Sequence, residues 1–381
     1  MLARLIQRLK DELNQRSIDG SLRSLVNYNG LVDFASNDYL GFCKSNVVAE
    51  EANYIHDNST NGQSPQNGSG GSRLLTGNSD FYLEAEKEMA LFFKSDGALT
   101  YTSGYAANLG LLSAILKRND NVFYDEYSHS SIKDGIRLGY AKSIKFLHNN
   151  LEDLENKLLR ASGEKFVVVE SLYSMDGDFA PLQELCELCT KQHAHLIVDE
   201  AHASGVYGPN GEGLVVQHGL EKSVFARIHT FGKGLGSHGA LVAGSNDLVD
   251  YLINFSRPFI YTTALPAYNV AAMLAGIRLS SKAKNERVSL FSNINHFRET
   301  AQNLGLNIMN SSSQIQGLVV PGNKQIVDLS ESLRELNIDV RAIKSPTVPA
   351  GKERLRICLH TYNTKEEIEI LLNGIHDHLN E

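Results

Sequence analysis

Three short stretches carry side chains whose types and spacing could do chemistry together. The run Leu196-Ile-Val-Asp199-Glu200-Ala201-His202 sets a carboxylate and an imidazole at the end of an apolar segment. Thr230-Phe231-Gly232-Lys233-Gly234 ends another such segment with a lysine between two glycines, which lack a Cβ and let the chain approach a ligand closely. Ala98–Thr102 leads into Ser103-Gly104-Tyr105 and then a helical stretch, a turn whose backbone N–H groups and helix N-terminus suit an anion such as phosphate. Each has a plain alternative: an ordinary strand-to-helix turn, a carboxylate capping the next helix, or a solvated loop lysine. Asp-Glu-Ala-His also occurs in helicase-type ATPases. Those require a Gly-x-x-x-x-Gly-Lys-Ser/Thr phosphate loop, which this sequence lacks.

An aspartate, a histidine and a lysine at successive strand ends, with an anion-binding turn, form the set that pyridoxal phosphate (PLP) requires. The lysine amine condenses with the cofactor aldehyde and then moves protons at the substrate Cα. The carboxylate keeps the pyridine nitrogen protonated, so the ring withdraws electrons from Cα. The imidazole can hydrogen-bond the ring oxygen. A second cluster, Cys186, Cys189, His193 and His195, is too closely spaced along one helix to close a tetrahedral zinc site. With Leu182, Leu185 and Leu188, the two cysteines read as a helix packing face, and no metal is expected.

These residues need elements to position them. Strands are expected at Ala98–Thr102, Asn121–Asp125, Ser143–Leu147, Phe166–Glu170, His195–Asp199, Arg227–Thr230 and Ala240–Ala243, several of them nearly continuous apolar runs, as in strands buried on both faces. Helical stretches such as Tyr105–Leu116 and Leu182–Gln192 lie between them. This alternation predicts an α/β fold, a mostly parallel sheet flanked by helices. Beyond about residue 285 the pattern becomes a smaller α+β segment. It ends in strand Leu355–His360 and a helix opened by Thr364 with Glu367 three residues on, a capping-box spacing. The expected division is an N-terminal helix and arm (residues 1–45), a large α/β domain (46–284) and a small C-terminal α+β domain (285–381). Leu2, Leu5, Ile6, Leu9 and Leu13 have helical spacing, and Asp11 and Glu12 among them argue for a folded helix rather than a transit peptide. Asn58–Gly71 is the one Ser/Gly/Asn-rich stretch.

At 381 residues the chain has room for about two domains. A net charge of −8 gives no footprint for nucleic acid or an anionic membrane. No apolar run approaches the roughly 18 residues that span a bilayer. Four scattered cysteines fit a reducing compartment, so a cytoplasmic protein is expected.

In order along the chain, Phe34-Ala-Ser-Asn37-Asp-Tyr-Leu-Gly41, Gly68-Ser-Gly-Gly-Ser72-Arg73, Ser103-Gly-Tyr105, His129, Glu170 with Ser174-Met-Asp-Gly177, Asp199-Glu-Ala-His202, Thr230-Phe-Gly-Lys233 and Arg354-Leu-Arg356 resemble the α-oxoamine synthases, a family of fold-type-I PLP-dependent transferases. The likeness runs from about Asp33 to the C-terminus. It implies that Lys233 is the Schiff-base lysine, that Asp199 pairs with the pyridine nitrogen, and that His129 stacks on the ring. His202 and Ser174 would lie near the ring oxygen. Ser103, Gly104, Tyr105 and Thr230 would hold the phosphate, helped by Thr262 or Thr263 of a partner subunit. Arg356 would grip the substrate carboxylate, Asn37 would touch the substrate region, and Arg23 is a candidate for an acyl carboxylate. A shared site implies a homodimer.

The family joins an amino acid to an acyl thioester, of CoA or acyl carrier protein, and releases carbon dioxide. Ser72-Arg-Leu-Leu-Thr-Gly77-Asn78 and Ser345-Pro-Thr-Val-Pro349 look like the branch that joins L-alanine to a pimeloyl thioester. Ser72, without the methyl of a threonine, would leave room for the alanine methyl. Branches using glycine or serine are the alternative, followed by aminotransferases, which share the fold and the lysine. A non-catalytic subunit would be expected to lack Lys233. The ending Cys358-Leu-His360-Thr-Tyr-Asn363 departs from the commoner Ala-Ala-His, which bears on the acyl-chain contacts.

Overall fold

All seven segments expected as strands form one sheet in the computed structural model, which describes residues 2–25, 30–59 and 67–380. Residues 60–66, the middle of the Ser/Gly/Asn-rich stretch, lie outside these. Across the sheet the order is Gly97–Tyr101, Ala240–Gly244, Ala226–Thr230, Ala194–Asp199, Lys165–Glu170, Asn121–Asp125 and Lys142–Phe146. Five successive strands, from Ala226–Thr230 to the Lys142–Phe146 edge, are parallel to their neighbours. Ala240–Gly244 runs antiparallel to both of its neighbours. Every residue of Gly97–Tyr101 and Ala226–Thr230 is buried, whereas the edge strand Lys142–Phe146 carries two lysines and is exposed over most of its length. Charge on an edge strand discourages pairing with another chain.

Parallel neighbours cannot be joined by hairpins, so helices cross between them. Gly104–Ile115 is the most apolar of these; Ala107, Leu111, Leu112, Ala114 and Ile115 are buried in one cluster with Val122, Ile132, Val168, Ile197, Ile228 and Val242. Its start is fixed by Ser103, whose Oγ accepts from the Ala106 N–H at 3.2 Å. On Leu182–Lys191, Leu182, Leu185, Cys186, Leu188 and Cys189 are the buried residues, which is the packing face expected of them.

The chain divides into two units, Asn37–Ser174 with Phe179–Arg287, and Met1–Ser36 with Met175–Asp178 and Val288–Glu381. The first contains the seven-stranded sheet. The second is the smaller α+β unit. Its antiparallel sheet is ordered Arg341–Ile343, Arg354–Cys358, Ile315–Val319, and Val32–Asp33 pairs with Ile338–Asp339. Helix Lys365–Asn380 opens with the expected capping box: the Thr364 N–H donates to Glu367 Oε2 at 2.8 Å and the Glu367 N–H to Thr364 Oγ1 at 3.2 Å. The N-terminal stripe forms helix Leu2–Ile18, with Leu2, Leu5, Ile6, Leu9 and Leu13 exposed. Among the described residues no helix is long and apolar enough to cross a membrane.

Candidate active site

A cleft of about 280 Å³ opens at the carboxyl ends of the parallel strands, where ligands bind in open α/β sheets. Five of the seven strands lead to its lining side chains. Gly97–Tyr101 leads to Ser103, Gly104 and Tyr105; Asn121–Asp125 to His129; Lys165–Glu170 ends in Glu170; Ala194–Asp199 leads to Asp199 and His202; Ala226–Thr230 to Thr230 and Lys233. Eight of the residues singled out from sequence thus share one cleft. Asn108, Ser131 and His238 also line it.

Lys233 Nζ lies 3.1 Å from His202 Nε2, and His202 Nδ1 lies 2.7 Å from the Tyr39 hydroxyl. Tyr39 donates to Asn37 Oδ1 at 3.0 Å, so one consistent arrangement runs from the lysine ammonium through a Nδ1-protonated His202 and Tyr39 to Asn37. The glycines flanking the lysine differ: a Cβ on Gly232 would meet only the Ser237 carbonyl oxygen, at 3.6 Å. A Cβ on Gly234 would stand 2.7 Å from the Ser204 carbonyl oxygen, so packing against the chain, not a ligand, excludes a side chain there. A Cβ on Gly104 would lie 2.5 Å from Thr230 Cγ2 and fill the turn at the helix start.

Asp199 is buried and accepts from Asn108 Nδ2 at 2.7 Å and the Ala201 N–H at 2.9 Å. Two donors leave a carboxylate with acceptor capacity on the cleft side. The neighbouring Glu200 does something else. It is wholly buried and accepts from the Leu214 and Val215 N–H groups, at 3.0 and 2.7 Å, and from Ser171 Oγ at 2.8 Å, capping helix Leu214–Gln217. Within Asp-Glu-Ala-His, Glu200 does the capping while Asp199 and His202 line the cleft.

His129 opens helix Ser130–Leu138, its Nδ1 accepting from the Ser131 N–H at 3.2 Å. Burial lowers its pKa, with the Lys233 charge acting in the same direction and the Asp199 charge against it. Its backbone N–H donates to Glu170 Oε1 at 2.6 Å. Glu170 is 3% exposed, and its pKa is pushed up to about 8 by burial first and then by the Asp199 charge.

Other expected residues lie elsewhere. Ser174 is buried but does not line the cleft. Thr262 and Thr263 line a small separate cavity with Arg73, Tyr82 and Phe259. Ser72 sits in a turn, accepting from the Leu75 and Gly77 N–H groups, and that segment is tied to Ala264 through Gly71 O and Ser69 Oγ, each at 2.9 Å. Ser72 and Thr262/Thr263 therefore belong to one region of the first unit, outside its Lys233 cleft. In the second unit, Arg356 is buried beside Cys358 Sγ at 3.0 Å, and Arg23 is exposed, donating to Thr347 Oγ1 at 3.2 Å. The departing tail has a structural reason: His360 and Tyr362 stack at 4.7 Å and bond Ser36 and Asp33, while the Cys358 N–H donates to Phe34 O.

Sequence reasoning did not assign Asn108, Glu170 or Tyr39. Asn108 is a polar residue in an otherwise apolar helix. Glu170 ends a Val-Val-Val run as Asp199 ends its own. Tyr39 is distant in sequence from His202 and carries no comparable signal.

The donor set suits a phosphorylated pyridine aldehyde: an amine, an acceptor-rich buried carboxylate, an imidazole between them, and a helix N-terminus whose turn a Cβ would fill. The family model described as aminotransferase class I and II matches residues 29–375. An 8-amino-7-oxononanoate synthase of Marinobacter nauticus is 38% identical over 95% of this chain and 91% of its own length. One of Emericella nidulans is 39% identical over 98% and 94%. Among solved structures, a serine palmitoyltransferase of Sphingomonas wittichii superposes with a TM-score of 0.88 at 28% identity, covering 100% of this chain and 98% of that one. Another, described as SPT with PLP, gives 0.85 at 30%, covering 92% and 88%. The 8-amino-7-oxononanoate synthase of Francisella tularensis gives 0.79 at 29%, covering 92% and 98%.

Proposed function

The chain belongs to the aminotransferase class I and II family, and from that premise we propose that it is a PLP-dependent acyltransferase that condenses L-alanine with a pimeloyl thioester to give 8-amino-7-oxononanoate, a step of biotin biosynthesis. The observation that carries this reading is Lys233 and Asp199 in one cleft with a helix N-terminus, in a chain 34–40% identical to 8-amino-7-oxononanoate synthases over more than nine-tenths of its length.

Bound PLP supplies an aldehyde that captures amines and a ring that accepts the electron pair released at Cα. The Ser103–Tyr105 amides and Thr230 would hold its phosphate at the positive end of helix Gly104–Ile115. Asp199, held by Asn108 and the Ala201 N–H, would pair with the ring nitrogen and favour its protonated form. His129 would cover the ring, and His202, oriented by Tyr39, would serve the ring oxygen. Lys233 takes the Cα proton of alanine and returns one at the end. Arg356 grips the alanine carboxylate with two parallel hydrogen bonds, which a lysine could not reproduce. Overall, the Cα–carboxylate bond of alanine and the acyl C–S bond break and one Cα–C bond to the acyl carbon forms; the Cα–H bond opened by Lys233 is closed again with a returned proton, and the leaving thiolate takes up a proton. Carbon dioxide and free thiol leave.

The protein works in the cytoplasm as a homodimer in which Thr262 or Thr263 and Ser72 of each chain complete the site of its partner. Their position away from their own chain's cleft supports this. The serine palmitoyltransferase superpositions favour a second reading with the same chemistry and a serine donor. Mass detection of 8-amino-7-oxononanoate from L-alanine and pimeloyl-CoA tests the assignment; pyruvate formed without carbon dioxide would make the chain an aminotransferase instead.

A further inference from the structure

The mechanism above leaves Glu170 unused. Of the two acids lining the cleft, Glu170 and Asp199, it is the more deeply buried. Glu170 and Asp199 are register partners on adjacent parallel strands, so their side chains leave the same face of the sheet side by side. Glu170 Oε1 takes the His129 backbone N–H at 2.6 Å. The same histidine is held from its other side by Ser131, whose Oγ lies 2.8 Å from Nδ1. The His129 backbone is therefore tied to the end of the Glu170 strand, and its ring to the helix it opens.

Two carboxylates at adjacent strand ends share a buried site and cannot both carry charge cheaply. Their donors differ. Asp199 receives the Asn108 amide and the Ala201 N–H, whereas the donor found on Glu170 is the His129 N–H. The other groups facing Glu170 are Asp125 of the neighbouring strand, Lys133 of helix Ser130–Leu138 and Lys233 across the cleft. Burial and the two aspartates raise the Glu170 pKa, and the His129 N–H and Lys233 pull it back.

We propose that Glu170 is a positioning residue that works as a neutral acid: its carbonyl oxygen fixes the His129 backbone, and with it the ring that would cover the cofactor, while Asp199 beside it is left to face the pyridine nitrogen. This rests on the cleft binding PLP, and it adds a division of labour between two neighbouring acids.

Two variants of the PLP-loaded protein separate this from simple capping. Glu170→Gln keeps the shape and the acceptor without a titrating proton. Glu170→Asp keeps the acidity but withdraws the acceptor by one methylene. The readouts are the PLP dissociation rate and the pH dependence of the visible circular dichroism of the bound cofactor. Glu170→Gln should release PLP within about twofold of wild type, and should lack the component of the pH titration centred near pH 8, where the wild-type carboxyl ionises. Glu170→Asp should release PLP roughly tenfold faster, the loss expected for one hydrogen bond. Release from Glu170→Gln as fast as from Glu170→Asp would overturn the neutral-acid role. A pH 8 component that persists in Glu170→Gln would do the same, and wild-type behaviour of Glu170→Asp would overturn the positioning. A wild-type protein that takes up no PLP would remove the cofactor reading itself, a failure visible before any variant is compared.

Discussion

At the scale of single residues, neighbours in sequence have separate jobs, and substitutions should separate them. Asp199→Asn should abolish turnover, by a factor of about 1,000 or more, while thermal stability changes little, because a neutral amide cannot hold the ring nitrogen protonated. Glu200→Ala should do the reverse in kind, costing about 2–4 kcal/mol in a denaturation experiment by leaving two buried N–H groups and Ser171 without their acceptor. Arg356→Lys should raise the KM for alanine about tenfold with a smaller effect on kcat, measured by steady-state kinetics. Glu170 also gives a pH dependence. Its folded pKa, about 8, lies above the ordinary 4.5, so the folded state binds the proton more tightly than the unfolded one. That contribution is complete below pH 4.5 and is lost as pH rises through about 8. Denaturation of PLP-free protein across this window should show stability falling with pH, and Glu170→Gln should flatten the slope relative to wild type. Asp199 and His202 could be read from sequence because they follow the apolar run Leu196-Ile-Val, and Lys233 because two glycines flank it at the end of an expected strand. Asn108 could not, because its function depends on which face of helix Gly104–Ile115 meets the Asp199 strand.

At the scale of elements, the seven strands of the large sheet were legible to within a residue, since several are near-continuous apolar runs bounded by turns, whereas the expected Leu355–His360 strand ends two residues earlier, at Cys358. Their directions were not. Nothing in the pattern of Ala240–Gly244 distinguishes it from its parallel neighbours, yet it runs antiparallel, which returns Gly239 to the cleft end of the sheet. The turn at Gly104 carries its own prediction. Gly104→Ala would set a methyl against Thr230 Cγ2, so PLP affinity should fall about tenfold or more by equilibrium titration, with the helix itself unharmed because alanine is a good helix former. The Thr364–Glu367 capping box was readable because both partners lie within four residues. The His360–Tyr362 contacts were not, since their partners, Ser36 and Asp33, are more than 300 residues away in sequence.

At the scale of the whole molecule, the proposed sharing of the site between two chains is the part least visible in one chain, where Thr262, Thr263 and Ser72 lie outside the Lys233 cleft. Mixing a Lys233→Ala chain with a chain carrying Thr262→Ala and Thr263→Ala tests it. If the site is shared, hybrid dimers regain one intact site each, and activity should return to about a quarter of the wild-type value at equal mixing. Chains that form self-contained sites would show no recovery beyond the two parents. The central claim is that this cleft runs a decarboxylative condensation with alanine. It is tested most directly by carbon dioxide release from the PLP-loaded protein given a pimeloyl thioester and, in separate reactions, alanine, glycine or serine. Release with alanine, lost in Lys233→Ala, is the predicted result. Release with glycine or serine instead would contradict the donor assignment, and a protein that binds PLP but releases no carbon dioxide with any of the three would contradict the reaction.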